Sequence, residues 1–553
     1  MSDPQTSKPG NRSTARGSLL FTAGTLVSRV SGVLRESVVG AVFGAGTAMD
    51  AFIVAYRIPN LLRELIAEGA LGSSFTKVYT ATAEKDAKAA RRVFEDTARL
   101  VFMLGLLIVC TGIIASPWLV DLMSRRDASE DSELFTRIAV RQTQLLFPTV
   151  AIFALASIVT GALHKKGSFF LSAVSPAAFN VANIAGALLV TPLLLTTVSP
   201  EFATWLGDAG ITGLSIGVLA GSVMQLWMAA RGLAKEGVKI RLLPAKNEAV
   251  FPWTAETKRI LWLMGPMAIA ASSGIVNFVV NTNFATALGK GAVTWINFAF
   301  RFLQLPVGLF GVAIGAAVLP ALTRAITRAG NKVDDTASIE VCNAIEMVAW
   351  LMLPCFALFH VCAPQIIGLF YEAGKFTASD TQQTALALQA YSYGLLSYGL
   401  LKVLNSYYYA TERTRYAMWV GIFSIAVNYI GNLLLVERYG HRGLALTASV
   451  TLTCNTLLLL AGMTRDRVKV DLVDTLKSLL LISAATTAAV FAQRGTFPWD
   501  AVLPPGSKKL LAASQIAANG LIVVAVFAPF LIVRLKTGKS EFSHKFRRLM
   551  RLS

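Results

Sequence analysis

Five arginines stand inside stretches that otherwise carry little charge. Arg29 and Arg35 lie in residues 18–43, Arg57 and Arg63 in residues 51–78, and Arg301 in residues 293–322. A guanidinium stays ionised at any physiological pH and offers a planar fork of donors that matches phosphate. A charged side chain in hydrocarbon costs on the order of 3 kcal/mol or more, so such residues face an internal cavity and mark a site. Arg29 and Arg35 point roughly 120° apart on an ideal helix and share a cavity only if their long side chains bend together. Arg57 and Arg63 repeat that spacing. Several arginines around one low-dielectric cavity suit a multiply charged anion, a pyrophosphate or a phosphate headgroup. A proton or cation pump would instead want buried carboxylates, and those are sparse.

Each of these residues also has a plainer reading. Arg35 pairs with Glu36 or Asp50 and snorkels to the interface. Arg63, Glu64 and Glu68 form an ion-pair cluster near the cytoplasm. Arg57 is held structurally ahead of Pro59, where a helix must kink, and Asp50 caps the second span. Asp50, Arg57, Glu64, Gly32 and Pro306 are the candidates for gating or bending. Gly24, Gly32 and Gly40 punctuate the first span, and Pro306, Gly308, Gly311 and Gly315 the eighth. They serve either as bends for a rocking motion or as close packing contacts.

Asn277 and Asn281 in the seventh span, with Asn428 and Asn432 in the eleventh, make a candidate ion site through amide oxygens. Hydrogen bonds between helices are the simpler account of them. The four histidines are isolated and the five cysteines are scattered without a CxxC pair, so neither a metal set nor a redox motif is expected. Neither a nucleophile–base set nor a phosphate-binding loop is recognisable. The expectation is therefore no catalytic residue and no cofactor, with energy drawn from the membrane potential or from a sodium or proton gradient.

The elements that position these residues are membrane spans. The chain has 553 residues, 54% hydrophobic and 15% charged, against about 25% charged in soluble domains. That excludes a soluble enzyme, a secreted disulfide scaffold and a disordered chain. Continuous apolar runs exclude a porin-type barrel. Fourteen spans are expected, at 18–43, 51–78, 93–116, 136–163, 168–195, 211–231, 260–288, 293–322, 345–370, 384–410, 416–436, 443–463, 472–491 and 510–533. With the N-terminus in the cytoplasm, about 32 Lys/Arg fall inside and about 9 outside. This asymmetry predicts an even number of spans with both termini cytoplasmic.

The longest hydrophilic loop divides the chain. The expected organisation is a cytoplasmic tail (1–17), an N-terminal lobe (18–235), a linker (236–259), a C-terminal lobe (260–463), two further helices (464–535) and a basic tail (536–553). GAVFGAGTAMDAF (40–52) and FATALGKGAVTWINF (284–298) echo one another as glycine-rich outer loops entering a span. The net charge of +19 sits in loops and tails and reads as topology. The C-terminal tail suits anionic lipid headgroups, and nucleic acid is not an expected partner.

Three stretches carry a family resemblance: SRVSGVLRESVVGAVFGAGTAMDAFIVAYRIPNLLRELIAEGALGSSF (28–75), RFLQLPVGLFGVAIGAAVLP (301–320) and LFYEAGKFTASD (369–380). They resemble the MurJ (MviN) lipid II flippases of the multidrug/oligosaccharidyl-lipid/polysaccharide exporter superfamily. The resemblance implies an all-α polytopic fold of two lobes, V-shaped and alternating in access. It implies transport of lipid II, the undecaprenyl-pyrophosphate-linked peptidoglycan precursor, across the bacterial plasma membrane, alongside cell-wall synthesis or division machinery. It places Arg29, Arg35 and Arg301 in a cationic cavity and Arg63 near a cytoplasmic gate. Asp50 matches an acidic position the family needs, and the last two helices would hold the lipid tail. Phe300 and Gln304 depart from acidic positions that flank the eighth-span arginine in some members. Other readings are an exporter of another polyprenyl-linked oligosaccharide, or a drug exporter of the same superfamily.

Overall fold

The structure, a computed structural model, describes residues 10–65, 71–125, 130–165, 170–199, 201–202, 207–238, 242, 244, 251–330, 333–465, 484, 486, 488 and 508–537. These residues are helical almost throughout, with one isolated β-bridge between Ala373 and Phe376. In chain order the first half holds α1 (Gly10–Phe43), α2 (Thr47–Arg63), α3 (Gly72–Ala83), α4 (Ala87–Met123), α5 (Glu130–Leu146), α6 (Pro148–Lys165), α7 (Phe170–Ala185), α8 (Thr191–Thr197) and α9 (Ala209–Lys235). The second half holds α10 (Ala255–Ala287), α11 (Ala292–Pro306), α12 (Val312–Arg328), α13 (Asp335–Tyr371), α14 (Ala378–Ser392), α15 (Leu395–Ala410), α16 (Thr414–Arg465) and α17 (Lys508–Thr537). Turns of π-helix, Gly186–Val190 and Val307–Gly311, join α7 to α8 and α11 to α12.

Side chains set several helix starts. Asp86, Asp208 and Asp334 accept from the backbone N–H of Lys88, Ile211 and Ala337 at 2.8, 2.9 and 2.8 Å, ahead of α4, α9 and α13. Each satisfies a donor that the first helical turn leaves open. Thr377 and Asp380 form a reciprocal capping box on α14.

The chain divides into two compact units, Met1–Ile275 and Val276–Ser553. The division falls inside α10, after the 236–259 segment. The first turns of α10 belong to the first unit, because Ile260 packs into its core with Phe75, Phe94, Ile158 and Leu233.

Lipid is as apolar as leucine, so helices in a membrane associate through close packing more than through hydrophobic burial. In the first unit this occurs at a seam of α9 spaced every four residues, Gly213, Gly217 and Gly221. A Cβ on Gly217 would fall 2.9 Å from the Ala182 carbonyl oxygen and 2.9 Å from Gly186 Cα. One on Gly213 would meet the Thr191 backbone nitrogen at 2.6 Å. The bare backbones of α9 and α7 therefore touch directly. The second unit packs α17 on α13 through Trp350 and Phe527, whose rings meet edge to face 6.3 Å apart.

Among the described residues, eight helical stretches are long and apolar enough to cross a membrane. They account for nine expected spans, because Thr414–Thr464 carries both the eleventh and the twelfth. Those two turn at Gly440, whose φ of 56° and ψ of −136° suit a residue without a side chain. The described residues of the second span lie in α2 and α3, and the tenth is divided between α14 and α15. The first and seventh fall in α1 and α10. The thirteenth, 472–491, lies almost wholly outside the described residues, as do Glu68 and the tail beyond 537. Fourteen remains the sequence expectation.

Candidate functional site

In the first unit the arginines sit on α1 and α2. Arg29 and Arg35 are half-buried on α1, which packs along α7. Arg35 is held on three sides. Its Nη1 donates to Asn180 Oδ1 at 3.1 Å and its Nη2 to Glu36 Oε1. Its Cζ stands 5.9 Å from the centre of the Phe179 ring. Asn180 Nδ2 in turn donates to the Ser28 carbonyl at 3.1 Å and to Ser31 Oγ at 3.0 Å. One asparagine thus locks both the arginine and the turn of α1 that precedes it. A Cβ on Gly32 would lie 3.6 Å from Asn180 Nδ2, in ordinary van der Waals contact. The plainer reading of Arg35, a pair with Glu36, is present, and Asn180 is an added partner.

Asp50 stands in the first turn of α2, where Gly46 holds the capping position. Its side chain is 0% exposed. A carboxylate so enclosed keeps its charge only among donors or cations. Arg57 is half-buried on α2, and the helix continues through Pro59 to Arg63. Arg63 lies over the Phe153 ring of α6, Cζ to centroid 4.5 Å, a cation–π contact. Glu64 accepts from Asn60 Nδ2 at 2.7 Å.

In the second unit Arg301 is half-buried midway along α11, one turn before Pro306 and the π-helical turn Val307–Gly311. Aromatic rings flank it. Phe300 packs on Tyr391 and Tyr398, with centroids 5.5 and 6.2 Å apart, and Phe302 on Phe370 and Tyr371 at 5.5 and 5.4 Å. Phe300, the departure from an acidic residue, is thus part of this aromatic packing.

The asparagines named as an ion site meet in two groups. Asn432 Nδ2 donates to Asn281 Oδ1 at 2.8 Å and to Asn428 Oδ1 at 3.4 Å, while Asn277 Nδ2 donates to Ser424 Oγ at 3.2 Å. These bonds tie α10 to α16, as the simpler reading has it. The buried oxygens Asn277 Oδ1 and Asn432 Oδ1 accept from no described donor. Among the described residues, no group of three or more His, Cys, Asp or Glu side chains is placed to hold a metal.

Sequence reasoning missed Asn180, Phe179 and Phe153. Polar Asn180 inside an apolar span was the available signal. The phenylalanines gave none.

These helices and intramembrane arginines define a polytopic helical membrane protein of transporter architecture. The backbone superposes on a lipid II flippase MurJ structure in an inward closed conformation, with a TM-score of 0.72 at 23% identity, covering 93% of this chain and 100% of that one. An outward-facing multidrug resistance MATE transporter matches at a TM-score of 0.56 and 16% identity, covering 84% of this chain and 99% of that one. The family model for lipid II flippase MurJ matches residues 39–500. A lipid II flippase MurJ from Burkholderia cenocepacia is 32% identical over 81% of this chain and 83% of its own length. A probable one from Rhizobium tropici is 30% identical over 95% of each. The chain belongs to the MurJ lipid II flippase family.

Proposed function

We propose that this protein moves lipid II from the cytoplasmic to the outer leaflet of the bacterial plasma membrane. The observation that carries this reading is family membership along nearly the whole chain, joined to arginines inside α1, α2 and α11. Arg29, Arg35, Arg63 and Arg301 bind the pyrophosphate. Asn180 and Glu36 hold Arg35 in one rotamer, so less side-chain entropy is lost when the anion arrives.

Transport proceeds by alternating access, with both termini in the cytoplasm and no bond made or broken. Asp50, Arg57 and Glu64 act in gating, and Gly32 and the Pro306 region in bending. A π-helical turn directly after Pro306 supports that role, because such turns mark places where a helix gives. The membrane potential or a sodium or proton gradient drives the cycle. Asn277, Asn281, Asn428 and Asn432 are the ion-site candidates within the second unit. The basic tail meets anionic lipid, and cell-wall synthesis or division machinery is the expected neighbour.

The test is translocation of fluorescent lipid II in proteoliposomes, read as dye accessible to an outside quencher. The reading expects movement of lipid II and none of a cationic drug. Drug movement without lipid II movement would favour the exporter alternative.

A further inference from the structure

Lys402 is an ammonium in the middle of α15, half-buried within an expected span. Among the described residues it forms no ion pair with a carboxylate, and the contact it makes is with Tyr398, whose ring centre lies 5.2 Å from Nζ. A tyrosine face contributes about 2 kcal/mol to a desolvated cation, less than an ammonium loses on leaving water. An intramembrane ammonium with so little compensation faces water in a cavity or an anionic ligand.

The fold holds this residue in place. A Cβ on Gly311 would fall 3.6 Å from Lys402 Cγ, and one on Gly315 would fall 2.9 Å from the Lys402 carbonyl oxygen. Ser406 Oγ bridges the seam, donating within 3.0 Å of the carbonyls of both Gly315 and Lys402. The Cγ of Lys402 therefore lies beside Gly311 of the π-helical turn, and its backbone lies against Gly315 of α12. The contacts of 311 with 399 and of 315 with 402 run in the same sense, so α12 and α15 are parallel.

Phe300 fixes the relation to Arg301. Its ring meets Tyr391 and Tyr398, and Tyr398 also carries the Lys402 ammonium. Arg301 is thus level with the stretch from Tyr391 to Tyr398. Lys402 comes one helical turn beyond Tyr398, further along the same path. Both cations belong to the second unit.

We propose that Lys402 is a second phosphate-binding station of this unit, taking the diphosphate of the polyprenyl-linked substrate on the cytoplasmic side of Arg301. The ligand rests on the flippase reading, and the direction on the positive-inside orientation. Lysine suits a station because it meets phosphate as a point charge, without the fork geometry that arginine imposes. Two sites along a path allow each to bind and still release.

The test is acetylation footprinting of the purified full-length protein in phosphatidylcholine nanodiscs, read by mass spectrometry at Lys402 and at exposed Lys375. Lipid II and inorganic pyrophosphate are each expected to slow Lys402 acetylation about fivefold, leaving Lys375 unchanged, as occupancy of most sites requires. Lys402→Gln should weaken lipid II binding about tenfold and Lys402→Arg less than about threefold. Unchanged acetylation at Lys402 with both probes would overturn the proposal. So would equal protection by phosphatidylglycerol, which would make this a site for ordinary lipid headgroups. If Lys402→Gln does not fold, the wild-type footprint decides. If the wild type binds no lipid II, the flippase reading fails, and pyrophosphate alone then judges the station: protection keeps it and none removes it.

Discussion

Arg35 on α1 and Asn180 on α7 are 145 positions apart in sequence and 3.1 Å apart in space, guanidinium to amide oxygen. The same amide holds the Ser28 carbonyl and Ser31 Oγ. In the role proposed for Arg35, a fork held beforehand loses less side-chain entropy when the anion arrives, and this amide holds it.

Replacing Asn180 by leucine removes one charge-assisted hydrogen bond and two neutral ones, at a cost of about 2–4 kcal/mol. The expected outcome is protein that still inserts, with a lowered thermal midpoint and lipid II translocation reduced about tenfold or more. Thermal unfolding beside the translocation assay checks this. Unchanged translocation in Asn180→Leu would show that Arg35 needs no such support.

The glycine seam makes a sharper stability prediction. Gly217→Ala forces α9 away from α7, which costs about 1–3 kcal/mol as overpacking. Gly217→Leu is expected to give no monodisperse protein on size-exclusion chromatography. Gly237→Ala tests the opposite case: it has open space around its Cβ but φ of 79°, so backbone strain alone acts there, about 1 kcal/mol.

The asparagine cluster separates an ion site from structural glue. As glue, Asn432→Leu loses about 0.6–2 kcal/mol of interhelical bonding, and transport keeps its response to sodium. As a site, the same variant inserts normally and that response disappears. Translocation with and without a sodium gradient distinguishes the two.

His441 carries the pH prediction. It lies in the loop expected between the eleventh and twelfth spans, its Nε2 3.0 Å from the Gln383 carbonyl and its ring against Trp295. Burial lowers its pKa below 6.5, with neighbouring Arg442 in the same sense and the Gln383 bond opposing. The unfolded chain therefore binds the proton more readily, and stability present above 6.5 is lost as pH falls below it. Trp295 donates to Asp380 Oδ1 at 2.9 Å, so the loosening reaches the α14 cap. The thermal midpoint should fall from pH 7 toward pH 5 in wild type and less in His441→Phe. Equal slopes would remove His441 from the account.

The sequence made the spans and their arginines legible, because charge inside an apolar run stands out residue by residue. Pro306 and Gly308 stood out as interruptions of the eighth span, and a π-helical turn, Val307–Gly311, follows Pro306. What holds the arginines was hidden. Phe179, Phe153 and Asn180 sit in other spans, and nothing local pairs them with Arg35 or Arg63. Ile260, at the start of the seventh span, packs into the core of the first unit, a contact no local pattern announces.

The central claim is tested most directly in a bacterium depleted of its own lipid II flippase. Wild type, Arg29→Ala and Arg301→Ala would be compared at matched membrane abundance. Growth with wild type and lysis with either variant are expected. Growth with all three would contradict the role of these arginines, and lysis with well-expressed wild type would contradict lipid II as the substrate.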